Sequence, residues 1–98
     1  VSLLRVEAGT FCSLHYHEKR WNLFEVVRGR IAVIVYEADG YPPLKTILRR
    51  GDRYKVPPGV KHRFEVIEDG QVVEIYWTED GSEALLSDIV RLQEGGQF

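Results

Sequence analysis

The sequence has one cysteine, three histidines and no long apolar segment, and these scarcities exclude several classes of protein. With Cys12 alone, the chain cannot form an internal disulfide, which favours a cytoplasmic location. The longest uninterrupted apolar run, residues 31–36, is far shorter than the roughly 20 residues of a membrane-spanning helix. The N-terminus shows no signal-peptide pattern. We therefore expect a cytoplasmic protein without a membrane partner.

Positive charge is also limited and scattered along the chain. Lys and Arg total 13 against 15 Asp and Glu, which gives a formal net charge of -2 at pH 7. The basic runs, 49–50 and 61–63, are too short to follow a phosphate backbone, so nucleic acid is excluded as a partner. The 98 residues, 44% of them hydrophobic, suffice for one domain over residues 1–98.

What the chain does contain is a series of β-branched and aromatic segments separated by turn residues rich in Gly, Pro and Asp. This pattern predicts an all-β fold, either a sandwich or a small barrel. In the tail, residues 82–92 fit neither helical nor strand periodicity and predict a short helical turn or a final strand. The predicted strands are 2–6, 10–17, 22–28, 30–37, 44–48, 53–56, 62–67 and 71–77, with turns that include 57–59 and 68–70.

Two of the three histidines, His15 and His17, stand two residues apart in a predicted strand. Side chains at this spacing project from the same face, which suits two ligands of one metal ion. His62 follows the turn at 57–59 and shares the parity of Phe64 and Val66, so we expect its side chain to point inward. The three imidazoles together indicate a site for one divalent transition metal ion, Zn, Mn, Fe or Ni.

These histidines belong to two spaced motifs that resemble those of the cupin superfamily. The first motif comprises Gly9, His15, His17 and Gly29, and the second comprises Gly51, Pro57, Gly59 and His62. The resemblance covers residues 6–77 and implies a cupin jelly-roll β-barrel or sandwich that binds metal through His15, His17 and His62.

Two positions depart from the cupin pattern. Asn22 stands where the first motif has a glutamate, and Val66 stands where the second has an asparagine. Asn22 is a candidate fourth ligand through its amide oxygen, whereas Glu25 has the opposite parity and faces the other way. Three neutral imidazoles leave the full charge of the ion in place, so the site should favour small polar or anionic ligands.

Other residues bear on catalysis and substrate class. Tyr54 and Glu74 occupy strand positions from which a polar group could reach the cavity, and a carboxylate near a metal can act as a general base. Residues 72–96 resemble the tail of the cupin domains of mannose-6-phosphate isomerases, which implies a carbohydrate substrate.

Three functions remain open at this point. The preferred one is a metal-dependent enzyme of the isomerase or epimerase kind that acts on a small polar substrate. A three-histidine dioxygenase and a non-catalytic small-molecule binding or sensing module are the alternatives. In each case we expect a homodimer, with the strand at 2–6 and the tail as the elements that pair across its interface.

Overall fold

The computed structural model describes residues 2–12, 14–36, 41–79, 90–93 and 95–97, and all regular structure within these ranges is β-strand. The strands pair antiparallel throughout and join into one sheet, folded as the predicted jelly-roll sandwich. No helix in the described ranges is long and apolar enough to span a membrane. The nine strands of these ranges are β1 Ser2–Val6, β2 Thr10–Phe11, β3 Leu14–Tyr16, β4 Arg20–Tyr36, β5 Leu44–Arg49, β6 Arg53–Val56, β7 Lys61–Thr78, β8 Val90–Gln93 and β9 Gly96–Gln97.

Two long strands, β4 and β7, form the framework of the sandwich. Their length shows that the predicted division into shorter strands was wrong. Four separate strands were predicted here, divided at Gly29 and by a turn at 68–70, but each stretch is one continuous strand. The two strands pair from Arg20 opposite Thr78 to Tyr36 opposite Lys61. At the predicted breaks the paired strands continue, but their register shifts between Val26 and Ile31. We call this irregular stretch the corner.

Glycine is required on both strands at this corner. A Cβ atom added to Gly29 would lie 2.5 Å from the backbone oxygen of Asp69, and Gly29 has a φ of +88°. A Cβ atom on Gly70 would overlap the backbone of Arg28. The close approach of two backbones therefore explains why turn-like residues stand inside continuous strands.

The shorter strands attach to different halves of this framework. β6 and β1 flank the half formed by the start of β4 and the end of β7. β5, β2 and β3 flank the other half. In the predicted tail, Val90–Gln93 is a strand and pairs with β3, while the helical turn predicted before it falls on residues outside the described ranges.

The core lies in the interior of the sandwich. In β4 alternate residues from Arg20 to Val26 are buried, as the strand period requires, whereas residues 31–35 are buried in succession and therefore on both faces. The buried apolar side chains are Phe24, Val26, Ile31, Ala32, Val33, Ile34, Val35, Leu48, Val56, Val66 and Val72. Four polar side chains are buried with them, namely His17, Arg20, Asn22 and His62. Burial of polar groups is costly unless they are hydrogen-bonded, and four of them buried in one chain make this cluster the candidate site.

Candidate metal and ligand site

A tight turn between β6 and β7 is hydrogen-bonded to the segment that carries His17. Gly59 has a φ of +82°, a conformation that favours glycine, and its N–H donates to the backbone oxygen of His17 at 2.6 Å. The chain then enters β7, where His62 is the second residue. The Gly59 and His62 positions of the sequence motif thus work together, because the turn fixes the spacing between the two histidine backbones.

The backbone sets the tautomer of His62, whose side chain is completely buried. Its Nδ1 lies 2.9 Å from the backbone oxygen of Val60. A carbonyl oxygen can only accept, so Nδ1 carries the ring hydrogen and Nε2 keeps the lone pair. Metal-binding histidines are commonly oriented in this way, with one ring nitrogen donating to a backbone oxygen and the other facing the ion.

The ring of His17 lies beside that of His62. Their centroids are 5.5 Å apart, and His17 is 2% exposed. His15 stands directly opposite His62 in the backbone register of β3 and β7, although its side chain lies outside the described part of the structure. The fold therefore brings the backbones of all three predicted ligands to one place in the sandwich.

Asn22 projects into the same interior from β4. It is 1% exposed, its Nδ2 lies 3.2 Å from Nε2 of His17, and its Oδ1 has no hydrogen-bonding partner among the described residues. A 180° rotation of the side-chain amide interchanges the positions of its oxygen and nitrogen. The Asn22 oxygen can therefore lie beside the His17 ring as a metal ligand. Glu25 lies on the outer face, as its parity predicted, and forms an ion pair with Arg53 at 3.0 Å.

The described donors suit a transition metal ion. His62 offers a lone pair, the His17 ring lies beside it, and Asn22 supplies an amide oxygen, which together make a nitrogen and oxygen donor set. Among the described side chains, no three His, Cys, Asp or Glu residues are grouped for a metal, so a third imidazole would have to come from His15.

Arg20 is a member of the buried cluster that the sequence reasoning missed. Its guanidinium is 6% exposed, stacks 4.3 Å above the Tyr76 ring and places Nη2 3.2 Å from Nδ1 of His17. The signal was present in the sequence, because Arg20 has the same parity as Asn22 and Phe24 in the strand that follows His17.

Glu74 and Tyr54, the predicted catalytic candidates, both flank Phe24. Glu74 is opposite Phe24 on β7, and Tyr54 is opposite it on β6. The Phe24 ring centroid is 6.2 Å from that of His62. Burial raises the pKa of Glu74, while the nearby Arg20 guanidinium acts in the opposite direction. Tyr54 is half-buried and packs against the apolar core.

Cys12 packs in the wall of the sandwich and offers no thiolate. Its Sγ accepts a hydrogen bond from the N–H of Phe64 at 3.1 Å. Burial raises the pKa of the thiol to about 11, so the sulfur keeps its proton at neutral pH. Metal ions bind cysteine as the thiolate, and Cys12 is therefore a packing residue.

Comparison with known protein families agrees with this architecture. The family model of the cupin domain matches residues 2–79. The chain belongs to the cupin family. No curated protein was found to match this cupin at significant similarity.

Solved structures show the same fold at low sequence identity. Oxalate decarboxylase from Bacillus subtilis superposes with a TM-score of 0.77 at 20% identity, over 92% of this cupin and 22% of that chain. dTDP-4-dehydrorhamnose 3,5-epimerase from Sulfolobus tokodaii gives 0.74 at 19% identity, over 92% and 55%. The Drosophila melanogaster CENP-C cupin domain gives 0.68 at 14% identity, over 76% and 58%. This cupin thus spans less than two thirds of the length of each of these proteins.

Proposed function

We propose that this cupin is a metal-dependent enzyme that acts on a small polar substrate. The metal ion would be held by His15, His17 and His62, with Asn22 as a fourth ligand. The observation that carries the proposal is the buried group of His17, His62 and Asn22. In this group a backbone oxygen orients the His62 lone pair, and the Asn22 amide oxygen has no partner among the described residues. A structural role alone would be served better by apolar side chains at these positions.

The reaction class that fits the interior best is isomerisation or epimerisation through proton transfer. A bound divalent ion would supply Lewis acidity toward a substrate carbonyl. Glu74 faces the interior, and its raised pKa brings it closer to the operating pH of a general base. Tyr54, on the other side of Phe24, is a second proton-transfer candidate. One matching structure carries the name of a sugar-nucleotide epimerase, which supports a sugar or sugar derivative as substrate.

Metal content is the first test of this proposal. Protein purified without a His tag should contain close to one divalent ion per chain, measured by elemental analysis, and His62→Ala should lose it. Glu25→Gln, a change on the outer face of β4, serves as the control and should keep the metal. Absence of metal after incubation with Zn, Mn, Fe and Ni salts would contradict the proposal. Iron with oxygen consumption would instead favour the dioxygenase.

Proton transfer can be measured directly in D₂O. A panel of keto-sugars is incubated with the metal-loaded protein. With at least one of them, deuterium should replace the hydrogen next to the carbonyl, and proton NMR follows this exchange. Glu74→Gln should slow this exchange by about 10²-fold or more, because an amide cannot accept the proton, while Glu25→Gln should leave it unchanged. If a ligand binds the metal-loaded wild type tightly but no exchange occurs, the non-catalytic binding module is the correct function.

The proposal includes a homodimer. Leu3 on β1 is 61% exposed, and in the described part of the chain β1 pairs only with β7, which leaves its other edge available. Apolar side chains on an open strand edge favour association with a second chain.

A further inference from the structure

We infer that the outer face formed by β6, β4, β7 and β1 packs against the same face of a second copy of this chain. The contact centres on an apolar area, called the outer patch, whose members are Leu3, Trp21, Leu23, Val73, Ile75 and Trp77. This inference rests on the homodimer included in the proposed function and names the surface through which the two chains meet.

Strand register places these side chains on one face of the sheet. Alternate residues of β4 from Arg20 to Val26 are buried in the interior, so Trp21 and Leu23 project from the opposite face. Directly opposite residues of antiparallel strands point to the same side of a sheet. The register therefore adds the remaining members, which are Trp77, Ile75 and Val73 on β7 and Leu3 on β1. The two indole rings lie 6.1 Å apart between their centroids and 8° from parallel.

The outer side of the other half of β4 is covered by the chain itself. Ala32 and Ile34 alternate with the core residue Val33 and so project outward, yet they are only 0% and 6% exposed. In the outer patch, by contrast, Leu3 is 61% exposed and the other members are half-buried. A contiguous apolar area left partly open in the single chain marks an interaction site. Because it is a sheet face, it fits a second sheet packed at a distance of about 10 Å.

Charges along the border of the outer patch carry both signs and have partners within the chain. Glu25 accepts a hydrogen bond from Nε of Arg53 at 3.0 Å. Lys55 Nζ lies 5.5 Å from the centre of the Trp21 ring, whose Nε1 donates to Glu79 at 3.2 Å. Nucleic acid, an anionic membrane or a strongly charged protein requires an excess of one sign. A face of mixed charge does not repel its own copy, and an apolar centre with a polar rim is the usual arrangement of a protein interface.

The size of this face sets the strength of the contact. With strands about 4.8 Å apart and about 3.3 Å per residue, the four strands of this half present roughly 400 Å² before the relief of the side chains is counted. With that relief, two copies bury about 1,000 Å² in total, which is the lower end of specific protein interfaces. We therefore expect a reversible dimer that dissociates on dilution.

The first measurement follows the dissociation of the wild type on dilution. Trp21 and Trp77 are the two tryptophans of the chain and both belong to the outer patch, so tryptophan fluorescence reports on this surface. Mass by sedimentation equilibrium and the emission maximum are recorded over the same concentrations. The emission maximum should move to longer wavelength as the mass falls from dimer to monomer, because water then reaches the indole rings. A change of mass without a change of emission would contradict the inference.

A charge at the centre of the outer patch makes the test specific to this face. Ile75→Lys should weaken dimerisation by at least about 100-fold, because each copy would bury an unpaired ammonium group. Ile47→Lys is the matched control, since Ile47 is also half-buried and stands opposite Ala32 on the outer side of the other half. This control should dimerise as the wild type does. Circular dichroism checks that each variant is folded.

A mixture of two variants tests whether the face meets its own copy. In a two-fold interface the residues at the centre lie opposite themselves. Ile75→Lys and Ile75→Glu should each be monomeric at concentrations where the wild type is dimeric. An equimolar mixture should recover the dimer, since opposite charges then meet across the interface. Recovery in the mixture also shows that both variants are folded.

The outcomes separate this inference from the proposed function. If the wild type is dimeric and Ile75→Lys dimerises equally well, the outer patch is not the interface while the homodimer stands, and dissociation of Leu3→Lys alone would assign the interface to the edge of β1. If the wild type is monomeric at every concentration, the homodimer fails and the inference with it, whereas the metal site is unaffected. A shift in the tryptophan emission of that monomer on addition of an oligosaccharide would make a carbohydrate, not a second copy, the occupant of the patch.

Discussion

His17 and His62 differ in the groups that hold their rings in the interior. At His62 the partner of Nδ1 is a backbone oxygen, which fixes Nε2 as the lone-pair nitrogen. At His17 the guanidinium of Arg20 lies against the ring, with Nη2 3.2 Å from Nδ1 and 3.5 Å from Nε2. The two rings are therefore held by different kinds of group, a backbone oxygen at His62 and a buried guanidinium at His17.

The replacement of the motif glutamate by Asn22 gives a prediction at the residue scale. Asn22→Asp should raise metal affinity at least about tenfold, which corresponds to about 1.4 kcal/mol, because a carboxylate reduces the net charge of the bound site. The metal-free variant should melt at a lower temperature than the wild type, since the carboxylate is buried. Chelator competition and thermal melts with and without metal measure both effects.

A comparison with Glu25→Gln controls for a general change in charge, because Glu25 lies on the outer face of the same strand. Equal metal affinity in Asn22→Asp and the wild type would show that this side chain does not coordinate.

At the scale of the strands, the corner between β4 and β7 decides the shape of the sandwich. The two backbones approach so closely at Gly29 and Gly70 that no side chain fits on either. Each strand can therefore run through the corner and contribute residues to both halves of the fold, so that Asn22 and His62 reach the same interior from distant positions in the sequence.

Replacement of Gly29 by alanine tests this corner. Gly29→Ala should destabilise the fold by more than Gly51→Ala, although both glycines have positive φ angles of +88° and +86°. A Cβ atom at Gly51 meets nothing within 4 Å, so its cost is the backbone strain of about 1–2 kcal/mol. Gly29→Ala adds the clash with Asp69. Urea unfolding measures the free energy of unfolding of both variants. Equal values would contradict the close approach of the two backbones at Gly29.

At the scale of the whole molecule, the edge of β1 that pairs with no other described strand predicts association. The protein should have the mass of a homodimer in solution by light scattering, and Leu3→Lys should shift it toward the monomer, because the charge would have to be buried at the interface. Tyr41→Lys is the control, since Tyr41 is also exposed, at 75%, but lies outside β1. A monomeric wild type would contradict the prediction.

The spacing of Gly, Pro and His along the chain was enough to predict the all-β class, the cupin family and the inward direction of His62. These features are local, because a strand has a period of two and a motif is a matter of spacing. The continuity of β4 and β7 was not predictable, since Gly29 and residues 68–70 have the composition of turns and only the pairing partner shows that the strands continue.

The same distinction applies to the site. The sequence by itself determined which residue types are available for a metal and in which motifs they stand. Only the tertiary structure decided that Arg20 is buried against His17 and Tyr76, and that the Val60 backbone oxygen orients His62. Those relations join residues from different strands, and a hydrogen bond depends on where two chain segments meet rather than on the composition of either.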